Sequence, residues 1–195
     1  MTRKIHMVLL CAVTLLIPGC NKQDNSKANY QAAINNYYKA HPLCLWQDTK
    51  KFPVQAATSD DAKTEGFDAL TDAGLLARTT AEKKVFIVAS KQVNNYDVSA
   101  QGRSAWTPDT TQPGYGNFCY GHRAVDSIDS FTNGVNGSGL KTAAVNYHYS
   151  IADVPGWAQS EEVKTAFPTL GASLAQSQPG QDSLVMNGSD WQVAK

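Results

Sequence analysis

Residues 140–152 carry the pattern that narrows the fold most: Ala143, Val145, Tyr147, Tyr149 and Ile151 alternate with Ala144, Asn146, His148 and Ser150. A period of two belongs to a strand with one face buried and one wet. A helix would scatter those apolar side chains around its whole circumference. Such a strand needs neighbours. Residues 118–131 supply a second long run, joined to the first through Thr132-Asn133-Gly134-Val135-Asn136-Gly137-Ser138-Gly139. The expected fold class is therefore α+β, with antiparallel hairpins and short helices.

The remaining segments fill in that frame. Tyr30, Ala33, Ile34, Tyr37 and Tyr38 recur at helical spacing, and His41-Pro42 supplies a stop. The aromatic stripe of this helix reads as core contact. Residues 60–73 predict a second helix, with Gly74 as its C-terminal cap. A hairpin is expected from residues 84–89 and 93–98 about a turn at Ser90-Lys91-Gln92, then a helical turn over 99–106 and a loop over 107–117. Short helices follow over 160–167 and 170–176. A last hairpin pairs 183–186 with 191–194 across Asn187-Gly188, a type I′ signal. Trp157 and Trp191 stand at element edges, where core packing is the default.

The leader has the layout of a secretory signal: Arg3 and Lys4, then an apolar run over 7–17. That run has about half the length a membrane-spanning helix needs. Its end, Leu16-Ile17-Pro18-Gly19-Cys20, resembles the lipobox of bacterial lipoproteins. The resemblance implies cleavage before Cys20 and diacylglycerol on its sulfur, and Asn21 in place of Asp implies export to the outer membrane, facing the periplasm. Inner-membrane retention and surface exposure are the alternatives, as is a plain secreted protein cut nearby. Two or three acyl chains hold a protein on a membrane where one does not, because each buried methylene contributes about 0.8 kcal/mol. Residues 21–28 are polar, as a spacer between lipid and domain would be.

Of the four cysteines, Cys11 leaves with the signal and Cys20 is assigned to lipid. Cys44 and Cys119 remain as an even pair in an oxidising space, so a disulfide is expected between them. Removing Arg3 and Lys4 leaves 15 basic against 17 acidic residues over 20–195. No surface for a polyanion follows from that balance.

The stretch 64–106 has a second, looser resemblance. Phe67-Asp68-Ala69-Leu70, Ala73-Gly74-Leu75-Leu76-Ala77-Arg78, a hairpin, and Tyr96-Asp97-Val98-Ser99-Ala100-Gln101-Gly102-Arg103 look like the helix-and-wing half of winged-helix domains. DNA-binding members bring basic and polar groups on the helix before the wing to phosphates and base edges. Here that helix carries Glu65, Asp68 and Asp72 against Lys63, and residues 60–106 hold six Lys/Arg and seven Asp/Glu. A winged-helix-like scaffold without nucleic acid is the expectation.

Compact catalytic signatures do not occur: no G-x-S-x-G, H-E-x-x-H, C-x-x-C or G-x-x-x-x-G-K-[ST]. The histidines left after processing are His41, His122 and His148. If the long strands pair about residue 135, His122 and His148 fall opposite each other, where a divalent metal could bridge them. Solvated histidines on a polar face are the commoner outcome, so no metal and no cofactor are expected. The expected organisation is a signal peptide over 1–19, a lipidated tether over 20–28, a helical and wing unit over 29–106 and an antiparallel sheet unit over 107–195, packed as one body. The expected function is a membrane-anchored, non-catalytic binding or envelope-maintenance component. Its partners would be the membrane, through Cys20, and an envelope protein or cell-wall component. An inhibitor or immunity lipoprotein acting on a toxin or lysozyme, signalled by a protruding 107–117 loop, and an envelope hydrolase with a dispersed site are the alternatives.

Overall fold

In the computed structural model, which describes residues 26–86 and 89–194, the chain is a mixed helix and strand protein built on antiparallel sheets. The leader, Cys20 and the tether as far as residue 25 lie outside the described residues. The first half runs through helix α1 (Ser26–Ala40), short strands β1 (Leu43–Cys44), β2 (Lys50–Lys51) and β3 (Val54–Ala57), helix α2 (Asp61–Asp72), and the hairpin β4 (Leu76–Phe86) and β5 (Ala89–Val98). Strand β6 (Trp106–Pro108) leads into the long strands β7 (Tyr115–Val135) and β8 (Lys141–Ala152). Helices α3 (Glu161–Ala166) and α4 (Pro168–Ala175) precede the closing hairpin β9 (Gln178–Asn187) and β10 (Asp190–Val193).

Local chemistry accounts for the helix ends. After α2 the Leu75 N–H bonds the Leu70 carbonyl at 2.8 Å and the Gly74 N–H bonds Thr71 at 2.9 Å, a Schellman closure that needs the φ of 78° at Gly74. At the start of α3 the Ser160 hydroxyl accepts from the Val163 N–H, and Glu161 and Glu162 place negative charge at the positive end of the helix. Pro168 opens α4, where its missing N–H leaves no intrahelical bond unmade.

Strands β1, β7, β8, β9 and β10 follow one another in the larger sheet, with β2 and β6 also paired to β7, while β3, β5 and β4 form a smaller one. The expected alternation holds in β8: Ala143, Val145, Tyr147 and Tyr149 are buried while Ala144, Asn146 and His148 are exposed. Two β-bulges shape the larger sheet. Val125 pairs with Tyr149 and Ser127 with His148, then Ile128 pairs with Tyr147 and Ser130 with Asn146, so Asp126 and Asp129 are each an extra residue on β7. Bulges bend the strand that carries them and increase its twist. The sheet thereby curls about α1, whose Tyr30, Ala33 and Ile34 share a core with Val125, Ile128, Val145, Tyr147 and Leu184.

A second core gathers under the smaller sheet, where Leu70, Leu75, Tyr96, Phe118 and Leu170 are buried together. Its rim is aromatic. Trp46 stands 6.1–6.3 Å from the rings of Phe52, Phe67, Phe118 and Phe167, spacings at which tilted and edge-on ring pairs are favourable. The disulfide Cys44–Cys119 joins β1 to β7 at directly paired positions beside this core.

Several expectations are corrected. Helix α1 begins at Ser26, so Ser26, Lys27 and Ala28 belong to the fold and not to the tether. It packs on the sheet formed mainly by residues 115–193, where its apolar stripe meets the inward face of β7 to β9. Ser90, Lys91 and Gln92 lie within β5, opposite Lys84, Lys83 and Glu82, so they are paired strand residues and not the turn. The expected 107–117 loop is shorter, since Thr107 and Pro108 pair with Asn117 and Gly116. In the last hairpin Asn187 pairs with Asp190, which makes Gly188 and Ser189 the turn, and a φ of 64° at Gly188 followed by a negative φ has the type II′ pattern in place of type I′.

Candidate functional site

The histidines expected as weak metal candidates do not meet. His122 pairs with Ala152 and His148 with Ser127, because the β7–β8 turn centres near residue 138 instead of 135, an offset that the two bulges reduce only in part. Each instead stands beside a carboxylate: His148 Nδ1 lies 2.8 Å from Asp129 Oδ2 and His122 Nδ1 lies 3.5 Å from Asp153 Oδ2. Ser127 faces His148 in register, but its hydroxyl donates to Asp129 Oδ1 at 3.3 Å. A base-activated nucleophile would need that hydroxyl on the imidazole. Among the described residues no group of three or more His, Cys, Asp or Glu side chains converges as a metal cage. The third histidine, His41, stacks on Tyr37 at 4.1 Å with Nδ1 2.7 Å from the Tyr37 carbonyl oxygen.

A groove of about 610 Å³ runs between α1 and β10. Its helical wall carries Asn29 and Asn36, seven residues apart and so on one face, with Ala32, Ala33 and Ala40 as a low floor between them and Tyr37 and His41 at one end. Its other wall is the edge strand β10 from Asp190 to Val193. A second cavity of about 570 Å³ meets the first at Asn29 and Trp191 and continues toward Asn133 and Lys141 at the end of the β7–β8 hairpin. That hairpin end exposes Val135 (68%) and Leu140 (45%). Trp191 is half-buried at the junction, held edge-on against Tyr30 at 5.0 Å, and Tyr30 in turn donates to Asn133 Oδ1 at 2.8 Å. The indole is thus fixed from one side while the groove reaches it from the other.

Beyond Tyr37 the helix enters a half-buried polar network. Tyr38 donates to Asp182 Oδ1 at 3.2 Å and accepts from Arg123 Nη1 at 3.2 Å, and the Arg123 guanidinium lies between the rings of Tyr38 (4.8 Å) and Tyr149 (4.6 Å). Burial raises the Tyr38 and Tyr147 hydroxyls above the usual tyrosine range. These groups lock α1 against β7, β8 and β9, which fixes the helical wall of the groove.

The groove residues were not singled out from sequence. Trp191 reads there as core packing, and the available signal was the Asn29 and Asn36 spacing across small alanines, which is invisible until β10 is known to lie beside it. Compared with known protein families, curated proteins and solved structures, the chain matches none.

Proposed function

We propose that the protein is a lipid-tethered component of a bacterial cell envelope that works by binding, through the groove between α1 and β10, and not by catalysis. The observation that carries this reading is the groove itself: a rigidly backed trough with side-chain amides, a tyrosine and a tryptophan on its walls. The His122 and His148 carboxylate pairs stand apart from it. Concave sites with a few fixed polar groups and aromatic surface are the usual form of a ligand site. Export is supported by the lipobox-like Leu16-Ile17-Pro18-Gly19-Cys20 and by the Cys44–Cys119 disulfide, a bond rare in reducing compartments. In this reading Cys20 carries the acyl chains, and the α2, β4 and β5 segment resembling half of a winged helix serves as scaffold.

An inhibitor role is favoured by one other feature. The loop after β6 is stapled by Asp109, whose Oδ1 accepts from the hydroxyl and N–H of Thr111 and whose Oδ2 accepts from Thr49; these bonds hold its carboxyl down at about 2. A pre-ordered loop loses little entropy on entering a target.

Two measurements test the main reading. Labelling with a clickable fatty acid should mark the wild type and not Cys20→Ala, and equal labelling overturns the lipid anchor. A photo-crosslinking residue in place of Asn36 should give a discrete envelope adduct that Trp191→Ala weakens. The same probe in place of Lys91 on the distant arm should not give it, and identical adducts from both positions overturn the groove.

A further inference from the structure

The curled sheet presents two edges to helix α1, and the helix treats them differently. Toward β7 it sends Lys27, Gln31 and Asn35, one stripe with four-residue spacing. Lys27 Nζ donates to the Ile128 carbonyl at 3.0 Å, Gln31 Nε2 donates to the Val125 carbonyl at 2.9 Å, and the Val125 N–H donates to Asn35 Oδ1 at 2.8 Å. Strand groups left over by the ladder are sealed there by side chains.

Toward β10 nothing comparable is found among the described residues. The Ala194 N–H bonds the Ser183 carbonyl at 2.8 Å and Asp190 closes the turn against Asn187, so residues 190, 192 and 194 direct their backbone groups to β9. Antiparallel pairing alternates, which turns the N–H and C=O of Trp191 and Val193 outward. Among the described residues no protein donor or acceptor meets them. Asn29 and Asn36 are exposed across the groove, as Gln31 and Asn35 face β7.

We propose that the groove between α1 and β10 binds an extended polypeptide segment of an envelope partner, which adds to the larger sheet as a further strand beside β10. The proposal rests on the reading of the protein as a binding component and names its ligand class. Unpaired strand groups select an extended backbone, because only a strand matches their spacing along the edge. Side chains of an added strand alternate in direction, so every second one would lie over Ala32, Ala33 and Ala40. Small apolar residues fit that floor, with polar residues between them facing solvent. Each Asn amide carries both donor and acceptor and can meet the outer edge of the added strand. Among the described residues Asp190 is the one carboxylate lining the groove and no Lys or Arg lines it, so His41 apart an anionic ligand lacks a counter-charge.

The probe is a library of end-blocked hexapeptides in which Val, Ala or Leu alternates with Thr or Ser, read by NMR titration and amide hydrogen exchange on the folded protein. Binding members should slow exchange at the Trp191 and Val193 amides at least tenfold. N-methylation of alternate peptide nitrogens should weaken binding at least tenfold. Val193→Pro removes an outward N–H without touching the β9 ladder, a position where an edge strand tolerates proline, and should weaken binding by as much. Ala32→Arg fills the groove from an exposed helical site and keeps the test independent of any effect of proline on folding. No binder in the library, binding indifferent to N-methylation, or unchanged exchange at the two amides overturns strand addition. So does concentration-dependent protection of β10 without peptide, which would identify a second copy as the occupant. If the library fails while the probe at position 36 still gives its adduct, the binding reading stands and only the ligand class falls.

Discussion

The ring of Tyr147 occupies the space that a side chain at Gly180 would need: a Cβ there would stand 2.5 Å from Cε2 and 2.6 Å from Cζ. The two residues are partners across β8 and β9. Tyr147 is fully buried, and its hydroxyl donates to Asp182 Oδ2 at 2.6 Å, two residues beyond the glycine. The glycine is what lets the tyrosine lie close enough to reach that carboxylate. Through Asp182 the bond continues to Tyr38 on α1, so one backbone position on β9 helps to set where the helical wall of the groove stands.

Gly180→Ala should therefore destabilise the protein by about 1–3 kcal/mol, the range for overpacking a filled interior. Urea denaturation measures the loss, and a changed near-UV tyrosine signal in the folded variant would report the displaced ring.

Asn35 and Asn36 are neighbours on α1 with opposite expected effects. Asn35→Ala leaves the Val125 N–H without its acceptor and should cost about 1–3 kcal/mol. Asn36→Ala, at an exposed site, should stay within about 0.5 kcal/mol while weakening groove binding. Parallel thermal melts and peptide titrations separate the two.

Replacing both Cys44 and Cys119 by Ala opens a cross-link spanning a sequence separation of 75 residues. Chain-entropy arguments give a loss of about 4 kcal/mol for a loop of that size. The denaturation midpoint should fall accordingly, and reductant should lower the wild type toward the same value.

Burial raises the hydroxyls of Tyr30, Tyr38, Tyr96 and Tyr147 above the ordinary value of 10.0. The folded state thus holds these protons more tightly than the unfolded chain. Their contribution is complete below pH 10 and is lost as pH rises from there toward the folded values, since unfolded tyrosines ionise first. Stability measured by urea at pH 8 and pH 11 should fall with pH, and Tyr147→Phe should flatten that slope.

Much of this protein is written in short stretches of its sequence. The alternation from Ala143 to Ile151, the stripe of Tyr30, Ala33 and Ile34, and Gly74 after α2 are local periodicities and backbone requirements, and each appears where local chemistry places it. The Cys44–Cys119 bond was legible by elimination among few cysteines. Register was not. Asp126 and Asp129 look like ordinary polar strand residues, and only the assembled sheet makes them bulges; the turn near residue 138, not 135, is what separates His122 from His148. Nor could the sequence tell which sheet α1 would cover, because an apolar stripe specifies burial without naming its partner. The difference between its two polar stripes, one bonded to β7 and one left open beside β10, exists only after the sheet has curled around the helix. Edge status is a property of the whole strand order, and that order was decided by tertiary packing.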